Sequence, residues 1–309
     1  MNLKTTMYIL KRIALALLTV WVVITVTFFV MRAVPGGPFM GEKAISEAAQ
    51  AALEAKYGLD KPLFEQYVTY LKDIVTKFDF GPSLKLRGRQ VMDVIVDGMK
   101  TSVRLGVLAA TIALFTGIFL GSIAALRRNK IIDKIIMVIT TAFVSMPSFI
   151  MGTLLLLVFA VKYHVFPANG ETAQGLVLPI ITLSLYPMSY ITRLTRSSML
   201  DVLGQDYIRT AKAKGVAPAK VIFGHALKNS LIPVITYFGP MLAYIVTGSL
   251  VVEQIFAVPG IGSAFVSSIT TRDYPLIMGT TIVLATLNVV MNLVSAILYK
   301  VVDPRITLE

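Results

Sequence analysis

Long apolar runs, parted by short polar stretches, set the pattern of this chain. Six runs stand out, at 13–31, 105–126, 135–161, 176–192, 231–252 and 276–299. A helix needs about 17–25 apolar residues to cross the hydrocarbon core of a bilayer, and the runs match that length, the third being slightly longer. Away from their ends, none of them holds Asp, Glu, Lys, Arg or His. The pattern therefore predicts an all-α membrane protein with six transmembrane helices.

The runs carry punctuation of their own. Gly106, Gly117 and Gly121 mark the second run, and Ser145, Pro147, Ser148 and Gly152 mark the third. Small residues let helices approach closely, and an interior proline bends a helix. Ser145 and Pro147 thus have two readings, packing with a kink or the lining of a pathway. The fourth run is short and holds Pro179 and Pro187. In the sixth, Asn288 and Asn292 lie one turn apart on one face. Those amides either bond to neighbouring helices or touch a transported molecule.

Between the runs lie two larger polar pieces. Residues 32–100 form a loop, with helices expected over 45–57 and 63–77. The stretch 91–99 is expected to lead into the second run as an amphipathic helix along the membrane. The other piece, 206–233, reads DYIRTAKAKGVAPAKVIFGHALKNSLIP. It is basic, through Arg209, Lys212, Lys214, Lys220 and Lys228, with Asp206 as its one acid. Thr210 to Lys214 favours helix, Gly215 breaks it, and Pro218 suits the first turn of a second helix. A firm hairpin on the membrane surface is predicted, organised around Gly215. The chain then divides into 1–31, the tail and first span; 32–100, the loop; and 101–309, a five-helix core carrying the hairpin within 201–230.

Charge fixes the expected orientation. The chain carries +12 overall. With the N-terminus inside, the inner ends and loops collect 16 basic and 5 acidic residues, and the outer ones 13 basic and 12 acidic. That bias predicts both termini in the cytoplasm. It also explains the positive charge as a topology signal, with no nucleic acid partner implied. Residues 1–12, with Lys4, Lys11 and Arg12, resemble the start of a signal peptide. The run behind them is long for one and lacks a small-residue cleavage site, so a retained first helix is expected.

Composition then removes several chemistries. The chain is 56% hydrophobic and 15% charged, with no cysteine and two histidines, His164 and His225. Their separation speaks against a metal centre, so no metal and no bound cofactor is expected. Gly36-x4-Gly41 approaches a phosphate-binding loop, but Glu42 stands at the lysine position and Ala44 follows. No nucleotide hydrolysis by this chain is expected. Charge-free spans speak against ion-coupled carriage, and their hydroxyls have no base beside them for intramembrane hydrolysis. What remains is a passive pathway opened by an outside drive, with a stand-alone channel or secondary carrier as the alternative.

At this point the residues resemble a known family. The chain is similar to inner-membrane permease subunits of ATP-binding cassette importers of the oligopeptide, dipeptide and nickel group. The resemblance spans essentially the whole length. It rests on Arg32-x-x-Pro35-Gly36, YGLDKPLFEQY at 57–67, FGPS at 80–83 and TRSSML at 195–200. It rests further on DYIRTAKAKG at 206–215, HALKNSLIPV at 225–234, FAVPGIG at 256–262, RDYP at 272–275 and DPRI at 303–306. The resemblance implies a type I importer permease fold. It implies that 206–233 holds the coupling helices that dock on an ATPase subunit. The family's glycine falls on Gly215, and its two alanines on Thr210 and Ala211. Its glutamate falls on Arg209, so any role of that carboxylate is lost here. The coupling set is then Arg209, Thr210, Ala211, Lys212, Lys214, Gly215 and His225. For His225 two roles stand, a hydrogen bond fixing the loop or a partner contact. Implied partners are a homologous second permease, two ATPase subunits that use ATP and Mg, an extracytoplasmic peptide-binding protein and membrane lipid. The loop 32–100 is well placed to touch that binding protein. Oligopeptides are the expected cargo, with dipeptides or nickel as the alternatives.

Overall fold

The computed structural model describes residues 3–34, 37–38, 54–55 and 58–302, with the side chains of 3–6, 8–9 and 295–302 excepted. The expected helix over 45–57, the glycine decoy at 36–44 and the DPRI tail at 303–306 lie largely or wholly outside the described residues. No strand forms among the described residues; one isolated antiparallel bridge pairs Pro82 with Gln90. In chain order come α1 (Leu3–Ala33), α2 (Leu63–Lys77), α3 (Val91–Leu126), α4 (Ile131–Ser145) and α5 (Ser148–Leu155). A π-helical stretch, Leu156–Lys162, prolongs α5. Then come α6 (Val177–Leu203) and α7 (Asp206–Ala213), a second π-helical stretch Lys220–Leu227, and one short turn, Lys228–Ser230. The chain closes with α8 (Ile232–Val246), α9 (Leu250–Ile255), α10 (Ile261–Thr271) and α11 (Tyr274–Val302).

Among the described residues, three helices are long and apolar enough to cross a membrane: Leu10–Ala33 within α1, all of α3, and Tyr274–Val294 within α11. Two bent pairs raise the number to five if each counts as one span. The fourth run forms α6 but falls outside that set, because prolines and hydroxyls dilute its apolar character.

Two compact units form, Met1–Lys100 with Gly260–Leu287, and Thr101–Pro259 with Asn288–Glu309. In the first unit, Phe28, Tyr67, Phe80, Val91, Ile95, Ile261 and Leu276 share one core. The Phe28 and Tyr67 rings meet edge-on at 5.3 Å, and the Tyr67 and Thr25 hydroxyls lie 2.7 Å apart. Asp273, fully buried, ties the 80–90 loop to the start of α11. Its carboxylate accepts the Ser83 hydroxyl and the backbone N–H groups of Leu84, Lys85 and Leu276 at 3.1, 3.3 and 3.4 Å. A buried carboxylate held by that many donors is compensated.

The stretch 91–99 is continuous with the second run in α3 and does not form a separate surface helix. The bridging residues, Lys100 to Arg104, include neither glycine nor proline to stop propagation. In the second unit, Gly117 and Gly121 let α3 approach α6. A Cβ on Gly121 would meet the Thr192 carbonyl oxygen at 2.5 Å. The third run is broken. Met146 is extended before Pro147, as the residue preceding a proline must avoid helix, and the chain turns by 106° between α4 and α5 with its extension. The fifth run is shorter than expected. Its helix, α8, ends at Val246, Gly248 takes φ +94°, and α9 restarts with Ser249 as its N-cap, accepting the Val252 N–H.

Candidate functional site

The hairpin expected at 206–233 forms from local rules. Helix α7 ends on a glycine cap: Gly215 takes φ +75°, its N–H donates to the Lys212 carbonyl at 3.0 Å, and the Val216 N–H reaches back to Ala211 at 3.1 Å. This double bond pattern, with an apolar contact between the residues at its ends, is the Schellman motif. Ala211 and Val216 supply that contact within a small core of Ile208, Val221 and Ala226, joined by Val202 and Leu203. Pro218 and Ala219 open the second helical limb, which runs through Lys220–Leu227 as a π-helix. The Asn229 side-chain amide donates to the Tyr207 hydroxyl at 2.8 Å and clasps the two limbs.

The outer face of the hairpin is basic. Arg209, Thr210, Lys212, Lys214 and Gly215 are exposed, while Ala211 is half-buried against the hairpin core. Arg209 reaches Asp206 at 3.4 Å, a solvated pair worth little. Lys212 and Lys214 have no acid partner among the described residues. Phe223, 67% exposed, stands on the second limb. His225 is half-buried and makes no hydrogen bond among the described residues. Cations, exposed aromatic rings at Tyr207 and Phe223, and small neighbours give a surface fit for an acidic, apolar-lined groove.

Behind the hairpin, α6 is braced by an ion pair that the sequence did not reveal. Arg196 meets Asp133 of α4 in a two-pronged contact, Nε to Oδ1 at 2.6 Å and an Nη to Oδ2 at 2.8 Å. The Asp133 side chain is 4% exposed and that of Arg196 24%. The Asn129 N–H, in a turn at φ +64°, adds a third bond to Asp133 at 2.9 Å. Fork-to-carboxylate geometry of this kind fixes orientation as well as position. Helix α6 leads directly into α7, so the pair sits one segment away from the hairpin.

The candidate pathway residues are not gathered by hydrogen bonds. Ser145 and Pro147 lie exposed at the 106° break. Asn288 and Asn292 are exposed and bond to each other, Nδ2 to Oδ1 at 2.7 Å. Glu253 is a further residue the sequence left unassigned. It is fully buried on α9, and the Ser102 hydroxyl of α3 donates to it at 2.7 Å. Among the described residues no cluster of His, Cys, Asp and Glu suits a metal ion.

The family model described as "Binding-protein-dependent transport system inner membrane component" matches residues 117–308. Its N-terminal companion model matches residues 5–105. The chain belongs to this family. It is a multi-pass protein of the bacterial inner membrane. It is 49% identical over 303 residues to the dipeptide transport system permease protein DppB of Bacillus subtilis, covering 98% of each chain. Over 302 residues it is 42% identical to the oligopeptide transport system permease protein OppB of Haemophilus influenzae, covering 97% of this chain and 98% of that one. The fold matches the MetNI methionine ABC transporter in inward-facing conformations, at TM-score 0.54 and 17% identity, over 69% of this chain and 97% of the other. The importer-permease fold expected from the sequence is therefore the one observed.

Proposed function

We propose that this chain is the permease subunit of an ATP-driven peptide importer, with oligopeptides among its cargo. The observation that carries this reading is the match, across 98% of both chains, to a relative named as a peptide permease. In this reading six helices cross the membrane with both termini in the cytoplasm, and α6 supplies the span that is richest in hydroxyls. The chain pairs with a homologous second permease. Two ATPase subunits grip the two hairpins, and a peptide-binding protein delivers cargo from outside. ATP and Mg belong to the ATPases. Their closure on ATP moves the hairpin, and α6, braced by Arg196 and Asp133, carries that motion into the membrane. The pathway opens outward, takes peptide, and returns to face inward after hydrolysis.

The test is reconstitution. The complete set of subunits in proteoliposomes should accumulate labelled peptide only with ATP inside the compartment that faces the hairpin. This subunit alone should give no flux. Flux from the lone chain would support a channel or secondary carrier and contradict the proposal. Reversing two cations, Arg209→Glu with Lys214→Glu, should weaken co-purification of the ATPases about tenfold at low salt and less at high salt, since screening shrinks surface attraction. Unchanged recovery at both salts would mean that packing alone holds the hairpin.

A further inference from the structure

Helix α6 presents an exposed stripe unlike the exposed faces of α3 and α4. Tyr186, Tyr190, Arg193 and Ser197 are all exposed, and their spacing of four, three and four places them on one side of the helix. The residues between them, among them Pro187, Ser189, Ile191, Thr192 and Thr195, are buried. On α3 and α4 most exposed positions are what a lipid solvent favours. On α3 they include Val107, Leu108, Ile112, Phe115 and Phe119, and on α4 Ile131, Ile135 and Val138.

Hydroxyls sharpen the contrast. Thr111, exposed on α3, turns its hydroxyl back to the Val107 carbonyl at 2.7 Å, a bond that satisfies it within lipid. A tyrosine hydroxyl stands too far from its own helix for that. Those of Tyr186 and Tyr190 make no hydrogen bond among the described residues; Tyr186 lies mid-span, away from the ends where tyrosine favours the membrane interface, and Tyr190 near the inner end of the run. Arg193, one turn further on and just beyond the fourth run, adds a cation at the inner end of the same side. From α8, Tyr237 lies against Tyr190 with ring centroids 4.3 Å apart and planes inclined by 30°. Tyr190 and Tyr237 thus form an aromatic pair, with Tyr186 and Arg193 about one turn away on either side along α6.

We propose that this stripe is a water-facing wall of the translocation pathway that holds the peptide itself. The proposal rests on the peptide-importer reading above and names the residues that meet the cargo. Tyrosine rings offer an apolar face to peptide side chains and a hydroxyl to backbone amides. Arg193 offers a two-pronged partner to the terminal carboxylate.

The chain has no cysteine, so each introduced thiol is its only one. In the assembled importer in proteoliposomes, Tyr186→Cys and Tyr190→Cys are exposed to a charged thiol reagent on both sides. They should react about tenfold or more faster than Phe115→Cys and Phe119→Cys, because a thiol in lipid stays protonated and unreactive. Transported peptide should slow the reaction at Tyr190→Cys. Arg193→Gln should slow uptake of a free peptide about tenfold relative to its C-terminal amide, and Arg193→Lys should not, since a charge-assisted bond to the carboxylate is lost only in the first. Reaction rates equal to those at Phe115 and Phe119 would overturn the proposal, as would a disulfide from Tyr190→Cys to the second permease in every nucleotide state. Fast reaction without peptide protection would overturn the cargo contact. An unmodified importer that carried no peptide would sink the functional reading instead, and the labelling contrast would still decide whether the stripe faces water.

Discussion

Replacing Gly215 by proline is expected to abolish uptake while the subunit still inserts in normal amount. Proline cannot adopt φ +75°, and it lacks the N–H that Gly215 donates to Lys212. Both faults fall at the cap, so the left-handed turn and its two backbone bonds cannot form. Other side chains meet a gentler limit. Nothing lies within 4 Å of where a Cβ on Gly215 would stand, so alanine is opposed only by the left-handed backbone. That costs about 1–2 kcal/mol, and asparagine less. Uptake per inserted subunit should therefore rank glycine, asparagine, alanine and then proline, with proline near zero. Full transport by the proline variant would mean that the hairpin's shape is irrelevant to the work it does.

Removing Asp133 is the second large effect. Asp133→Ala strands the half-buried guanidinium of Arg196 and frees the Asn129 N–H. Breaking a fully buried pair from one side costs about 3–5 kcal/mol, and the partly exposed guanidinium brings the loss here below that. The thermal midpoint of the purified complex should fall accordingly. The double variant Asp133→Ala with Arg196→Ala should lose less than the sum of the two single losses, with a coupling of about 0.5–3 kcal/mol. Exchanging the two residues should restore little, because the Asn129 turn needs an acceptor at position 133 and would face a cation. Strict additivity in this cycle would show that the two residues act separately.

What the sequence revealed was what is encoded locally. The hairpin break at Gly215, the restart at Pro218 and the apolar runs follow from neighbouring residues alone. Pro147 signalled a bend because it constrains Met146, but the 106° turn depends on what α4 and α5 pack against. The join of 91–99 to the second run was missed because a cluster of polar residues resembles a loop while remaining compatible with helix. Asp133 with Arg196, 63 residues apart, and Ser102 with Glu253, 151 apart, could not be paired from sequence, since either acid could have been solvated. The early end of the fifth run at Val246 turned on Gly248, whose positive φ is permitted by its type but not dictated by it.

The most direct measurement places a photo-reactive cross-linker at Thr210, exposed on α7, in the intact importer in native membranes. The account predicts a covalent product with an ATPase subunit, formed from the cytoplasmic side and diminished by Arg209→Glu with Lys214→Glu. A product confined to the external binding protein, or labelling of Thr210 from outside the cell, would contradict it.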